Sequence, residues 1–336
     1  MALPRSITGA WRALSRLKQV DIATAKTVNV SFYFEGDPME PEPETFFANK
    51  DEITGALLPT VSRLLNRKLV GKHKSKAYPD LVGLLASMAM FKDTSTVVGA
   101  TTAYKHKIEM DAAVVELPYR TLVENDGLAQ FVYTGVACTG FTLSGKRGEF
   151  VEIEADLLGS GAEATDATSK PARVSESYLA YGDVKFYKGG TYDGTSVTGA
   201  TELSADLKDF KISLKNNAKH VFKMGDATGN VGSIRRGLKF DVEFEATIEL
   251  SDQTHRTDFL AGTEFVCQLP IVGGTANGAA KYTVEAIFPR LVYKAAKKGV
   301  DDGILKLAAN FEVLHDATYG GLILNVINLQ SASFLA

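Results

Sequence analysis

Two cysteines, one tryptophan and five histidines in 336 residues are few enough that each scarcity closes off a class of protein. Cys138 and Cys267 stand apart in strand-like runs, without the paired spacing of a disulfide framework, and are expected as buried thiols in a reducing cytoplasm. His73, His106, His220, His255 and His315 form no HxH or HExxH pattern and have no cysteine at ligand spacing, so no metal motif is present. No GxGxxG follows a strand, and GxxxxGK[ST] and GxSxG are missing, which leaves no cofactor site and no catalytic residue to name. The longest apolar runs, Leu81 to Phe91 and Val132 to Cys138, fall far short of the roughly 18 residues of a membrane span. A formal charge of −3 and a pI near 6.0 supply no cationic field for gripping nucleic acid. The N-terminal stretch has Arg5, Arg12 and Arg16 among scattered apolar residues and does not read as a secretory signal.

What the chain has in quantity is alternation. With 45% apolar and 23% charged residues it has the composition of a soluble globular protein long enough for two domains. Runs such as TVNVSFYFEG, TAYKHKIEM, AQFVYTGVACTGFTLSG, GLKFDVEFEATIEL and AKYTVEAIFPRLVYKA are rich in β-branched and aromatic residues and bounded by Gly, Asn, Asp or Pro. They predict an all-β protein, a β-sandwich or barrel with a few short helices. Helical spacing predicts a helix over Pro79 to Phe91, opened by Pro79, and a broken one around Pro59 in TGALLPTVSRLLNRKL. A short helix is expected in SDQTHRTDFLAG, capped at Ser251 and stopped at Gly262. His255, Asp252 and Asp258 then read as a solvated helix face, Asp301 and Asp302 before Gly303 as a turn, and KHKSK, Lys72 to Lys76, as a solvated loop or a contact for an acidic neighbouring subunit. MEPEPE, from Met39, reads as an extended loop. Lys215 to Gly237 reads as a long Gly- and Asn-rich loop, and loops of this length usually serve a partner.

Two strands share a pattern. In EFVEIEADLL, Val151, Ile153, Ala155 and Leu157 alternate with Glu152, Glu154 and Asp156; in FDVEFEATIEL, Val242, Phe244, Ala246 and Ile248 alternate with Glu243, Glu245 and Thr247. FTLS at Phe141 answers FKIS at Phe210, and KRG at Lys146 answers RRG at Arg235. This order predicts a strand–loop–acidic strand unit present twice, either side of a linker in the apolar-poor GSGAEATDATSKPAR. A half-buried strand needs a polar face, yet like charges at i, i+2 repel mildly. Choosing acid on both strands points to a surface meant to be anionic.

The helix Pro79 to Phe91, TAYKHKIEM, QFVYTGVACTGFTLSGKRGEFVEIEADLLGSG, DFKISLKNNA, IRRGLKFDVEFEATIEL, DGILKLAANFEVLHD and LILNVIN follow one another in an order that resembles the tail tube proteins of long-tailed bacteriophages, in the longer, two-domain-like group. The likeness covers most of residues 25 to 330, and the first twenty-five carry none of it. It implies an N-terminal arm over 1–25, a first tube-like β domain over 26–160, a linker over 161–178 and a second domain over 179–336. It also implies a structural virion protein, not an enzyme, assembled in the host bacterial cytoplasm into stacked trimeric pseudo-sixfold or hexameric rings. Tape-measure, tail-terminator and tail-tip proteins would be its partners, with double-stranded DNA present only in transit and no membrane anchor. Within that frame Glu152, Glu154, Asp156, Glu243, Glu245 and Glu249 are expected to line an acidic lumen, since a basic lining would neutralise phosphates and hold the genome. Asn217, His220, Lys223, Asp226 and Asn230 are expected on a loop that reaches the next ring. A carbohydrate-binding or adhesion sandwich is the rival reading. It would show exposed Trp or Tyr clusters, whereas Trp11 lies outside the strand-like region.

Overall fold

Apolar–polar alternation becomes strand along most of the chain, as the sequence predicts. A computed structural model describes residues 10–32, 34–35, 37–47, 62–224, 228–250, 253–301 and 303–336. The first strands are Trp11–Leu14 (β1), Val30–Phe32 (β2), Glu40–Phe47 (β3) and Ser62–Lys76 (β4). After the helix Pro79–Met90 (α1) come Phe91–Val97 (β5), Tyr104–Met110 (β6), Arg120–Asn125 (β7), Gln130–Lys146 (β8), Glu152–Gly159 (β9) and Glu163–Thr165 (β10). Four two-residue strands follow: Tyr187–Lys188 (β11), Thr191–Tyr192 (β12), Val197–Thr198 (β13) and Thr201–Glu202 (β14). Then come Leu207–Lys215 (β15), Lys219–Phe222 (β16), Val231–Arg235 (β17) and Asp241–Glu249 (β18). A second helix, Thr254–Ala261 (α2), precedes Phe265–Asn277 (β19), Ala280–Asp301 (β20), Ile304–Val313 (β21) and Ile323–Asn328 (β22).

The main sheet is antiparallel and runs β3-β4-β9-β8-β15-β18-β21-β20. Two of its strands are long enough to enter a second layer. The first half of β8 pairs with β7 and β10, and β7 carries β1 and then β2. The first half of β20 pairs with β19 and β22, β22 carries β6 and then β5, and β19 carries β11 and then β14. Helix α1 is buried on every side, as a helix apolar all round must be. It ends at Phe91, held left-handed at φ 76° with its ring buried.

This order contains a repeat. β3-β4-α1-β7-β8-β9-β10 and β15-β18-α2-β19-β20-β21-β22 have the same sequence of elements, apart from β5–β6 in the first set and β16–β17 in the second. They give the sheet the same strand order twice, 3-4-9-8 and then 15-18-21-20. Even the register irregularities correspond: β8 slips between Cys138 and Gly140, and β20 between Tyr293 and Ala295. The repeat expected from the acidic strands is therefore assigned differently, because β9 is the counterpart of β21 and β18 that of β4. The likeness of FTLS to FKIS reflects a local two-fold instead. Phe141 faces Leu214 as Gly145 faces Phe210, about the pair Leu143–Ile212. Gly145 is required at that seam, since a Cβ there would stand 2.4 Å from the Phe210 ring.

Four further expectations are corrected. Residues 62–69, read as part of a broken helix, are strand, because pairing with β3 overrides helical spacing; the Pro59 region lies outside the described residues. MEPEPE is largely edge strand, where Pro41 and Pro43 are tolerated. Lys215 to Gly237 is no open loop: β16 and β17 form a hairpin in which Val231 and Ile234 are buried. Trp11 lies in β1, a buried strand between β2 and β7 that occupies part of the expected N-terminal arm. The α2 helix stops at left-handed Gly262 as expected, while Ser251 lies outside the described residues.

The C-terminal tail closes over α1. Phe334 is buried against His106, and a Cβ at Gly83 would stand 2.4 Å from its ring. Helix preference gives Ala about 1 kcal/mol over Gly, whereas overpacking typically costs about 1–3 kcal/mol. Gly83→Ala is thus expected to lose up to about 2 kcal/mol in urea unfolding and to make the tail easier for carboxypeptidase to remove. Unchanged stability and digestion would mean that the tail shifts without cost.

Candidate functional site

One face of the main sheet packs the core and the other is open. Val151, just before β9, and Ile153, Ala155 and Leu157 within it are buried, as are Phe244, Ala246 and Ile248 of β18, with Val242 half-buried. The interleaved carboxylates therefore stand on the opposite face, where alternation puts them.

They do not stand there alone. Strand β4 lies beside β9 in a register that sets Lys72 opposite Asp156, Lys74 opposite Glu154 and Lys76 opposite Glu152. Lys72 Nζ is 2.5 Å from Glu154 and 3.7 Å from Asp156, and Lys74 Nζ is 3.3 Å from Glu152. Lys76 pairs with Glu152 and lies 3.7 Å from Glu35. Hydrogen bonds to Glu154 and Glu152 raise the pKa values of Lys72 and Lys76, and that of Glu152 is lowered chiefly by Lys76. KHKSK is thus neither a loop nor a contact waiting for a neighbour. It is the basic half of a ladder whose acidic half is the row that the sequence singled out. The i, i+2 spacing of its lysines carried the signal, since it matches the spacing of the acids.

The second acidic row is met by bases from several strands. Glu245 lies 3.5 Å from Lys211 of β15, and Glu249 lies 3.0 Å from Arg147 and 3.3 Å from Lys208. Glu243 stands opposite Glu312 of β21, which Lys294 approaches to 2.7 Å. Between the two acidic rows, at the β8–β15 junction, the uncharged pair Thr142 and Ser213 have their hydroxyl oxygens 3.3 Å apart, flanked on β15 by Lys211 and Lys215. Exposed pairs of this kind contribute about 0.2–1 kcal/mol each and weaken with salt, so their chief effect is to set the field over the face.

The residues expected on a projecting loop separate into two groups. Asn217, left-handed at φ 53°, donates to Asp241 at 2.7 Å, and His220 Nε2 donates to the Gly159 carbonyl at 3.1 Å. Asn230 bridges to Arg67. These three hold the β16–β17 hairpin to the body. Lys223 and the 98% exposed Met224 lie toward its tip, and Asp226 is outside the described residues.

Sequence reasoning missed the buried charges. Arg12 and Glu124 pair at 2.8 Å, and Arg16 grips Asp80 with two bonds at 2.8 and 3.0 Å. Glu176, from the segment read as linker, accepts the Asp80 backbone N–H at 2.8 Å. His255 faces no solvent: it is buried, with Nδ1 2.7 Å from the Tyr293 hydroxyl. Both cysteines are buried and free, and burial raises the Cys138 pKa to about 12 and that of Cys267 further. No group of acids, histidines and cysteines among the described residues could hold a metal ion. Among them, no helix is long and apolar enough to cross a membrane.

A protein-family model described as phage tail tube protein matches residues 9–313. The match takes in β1, which the sequence reading left outside the resemblance. No curated protein matches the chain.

Proposed function

The chain belongs to the phage tail tube protein family, and from that premise we propose that its copies join into rings that stack as the hollow tube of the virion tail. Its role is structural: the tube is the conduit for the genome, and the other tail proteins meet it at its ends and along its channel. The observation that carries this reading is the main sheet, which has one core face, one open charged face and, among the described residues, an unpaired edge on each side. Such a sheet continues from copy to copy, and its charged face turns to the channel. Each chain supplies two modules of four strands to the wall, so three chains give six modules.

In this reading the six acids are channel residues, but the wall they make is not bare acid. A lysine already held by a carboxylate neutralises a phosphate only by giving up that partner, so little counterion release rewards binding. DNA passes over alternating columns of charge whose field fades within about 10 Å.

Lysines at the Thr142–Ser213 pair test this. Thr142→Lys with Ser213→Lys leaves the core face untouched and adds two cations per chain, one beside Glu154, which Lys72 already holds, and one beside Glu243. Tubes are expected to form, and particles carrying them to eject DNA slowly at low salt and normally at high salt. Normal ejection at low salt would place this face outside the channel. A parent protein that shows no rings or tubes by negative-stain microscopy would remove the tube reading.

A further inference from the structure

Resting on that reading, we propose that β20 of one copy pairs along Ala295 to Lys297 with Glu40 to Glu42 of β3 of a second copy, repeating between chains the junction that β8 and β15 make within one.

In the strand order 3-4-9-8-15-18-21-20 the two modules meet where β8, last of the first, pairs with β15, first of the second. Their counterparts are β20 and β3, the two ends of the sheet. Both ends are open on the matching side. Among the described residues β3 pairs only with β4, and beyond Leu291 β20 pairs only with β21. In β8 the corresponding side is the one that takes β15.

The register follows from the strand pairings. Matching the slip at Cys138/Gly140 to that at Tyr293/Ala295 puts Lys297 in the place of Thr142. Thr142 pairs with Glu154 and Glu154 with Lys74, as Lys297 pairs with Ala308 and Ala308 with Thr247. The registers of β3 with β4 and of β15 with β18 then put Glu40 in the place of Ser213. Where Thr142 meets Ser213 inside the chain, Lys297 meets Glu40 of the next copy. Both are exposed and opposite in charge. Glu42 falls opposite Ala295, so an edge carrying Lys294, Lys297 and Lys298 faces one carrying Glu40 and Glu42. Complementary charge of this kind selects partner and register.

A second observation points the same way. A groove of about 510 Å³ is lined by Phe240, Asp241, Val242, Val313 and His315, among others. By the same correspondence these stand for Arg67, Lys68, Leu69, Gly159 and Gly161 of the first module. There the place is covered from the next module: the β16–β17 hairpin donates Val231 N–H to Ser160 O at 2.9 Å and accepts Arg67 N–H at Gly229 O at 2.8 Å. Among the described residues no such hairpin stands over the matching place on the second module, and a second copy covers this groove. The contact is head-to-tail, which closes into a ring when its rotation allows.

The test is a cysteine at each position. Cys138 and Cys267 are buried, so oxidation of a Lys297→Cys, Glu40→Cys double variant reports on the new pair. A reducible ladder from dimer to closed ring is expected, with no ladder from either single variant. Separately, Lys297→Glu is expected to lower ring yield at least tenfold, and adding Glu40→Lys to restore it. Rings from the parent with no cross-link and no effect of the reversal would overturn this pairing and leave the tube reading standing. Cross-linking by Glu40→Cys alone would replace it with a symmetric β3–β3 contact. A parent that forms no rings would fail the reading beneath both.

Discussion

Glu124→Gln is expected to lower stability by about 3–5 kcal/mol, the usual loss when one member of a buried ion pair is removed. Arg12 and Glu124 have side chains only 1% and 3% exposed. The Arg12 guanidinium also donates to the carbonyls of Lys72 at 2.8 Å and Asp37 at 3.1 Å, and Glu124 accepts the Met39 N–H at 3.1 Å. One charge pair therefore ties β1 to β7, to β4 and to the approach to β3. Gln in place of Glu leaves a cation inside without its counter-ion. Nearby His73 offers no relief, since burial and then Arg12 hold its pKa down at about 3 and keep it neutral. The double change Arg12→Met with Glu124→Leu removes both charges and is expected to recover most of the loss. Urea midpoints of the three variants check this, and a loss under about 1 kcal/mol for Glu124→Gln would mean that water reaches the pair.

The second large effect depends on pH. Burial, helped by the neighbouring Asp80 carboxylate, pushes Glu176 up from 4.5 to about 8. Burial also raises Asp80, against the opposing pull of Arg16. Between pH 4.5 and 8 the folded chain keeps a proton on Glu176 that the unfolded chain releases. Stability contributed by this group is therefore full below pH 4.5 and falls by up to ~1.4 kcal/mol per unit as pH rises toward 8, then levels. Gln at 176 can still accept the Asp80 N–H and has nothing to ionise. Glu176→Gln is expected to match the parent near pH 4.5 and to exceed it by a few kcal/mol at pH 9. Parallel curves of unfolding midpoint against pH would show that Glu176 is solvated in the folded chain.

Much of the fold was legible where a segment's own pattern decides its state. Alternation placed the buried faces of β9 and β18, helical spacing with Pro79 placed α1, and Gly262 placed the end of α2. Segments whose state is decided by a distant partner were misread. Ser62–Leu69 has apolar residues at helical spacing, and only β3 beside it makes it strand, as β9 does for Lys72–Lys76, read as loop. The β16–β17 hairpin is polar enough for a loop, yet two of its residues fill a hydrophobic pocket on the other module. The acidic row was read correctly as a row and incompletely as a surface, because its lysines lie some 80 positions away and local sequence does not show which strands are neighbours. The repeat was visible for the same reason that it was misassigned: amphipathic strands resemble each other, and strand order alone tells counterparts from neighbours.

The long strands set how the molecule yields under load. β8 and β20 each run without a break from the layer behind α1 into the open-faced sheet, so the two layers are joined by covalent backbone as well as by packing. Sliding one layer over the other would require bending both strands at their register slips. A sandwich held by side chains alone can shear along its apolar seam, whereas here the seam is crossed twice. Force applied to the open face is therefore passed directly to the back layer, and the thickness of the molecule resists change more stiffly than its hydrophobic filling would by itself.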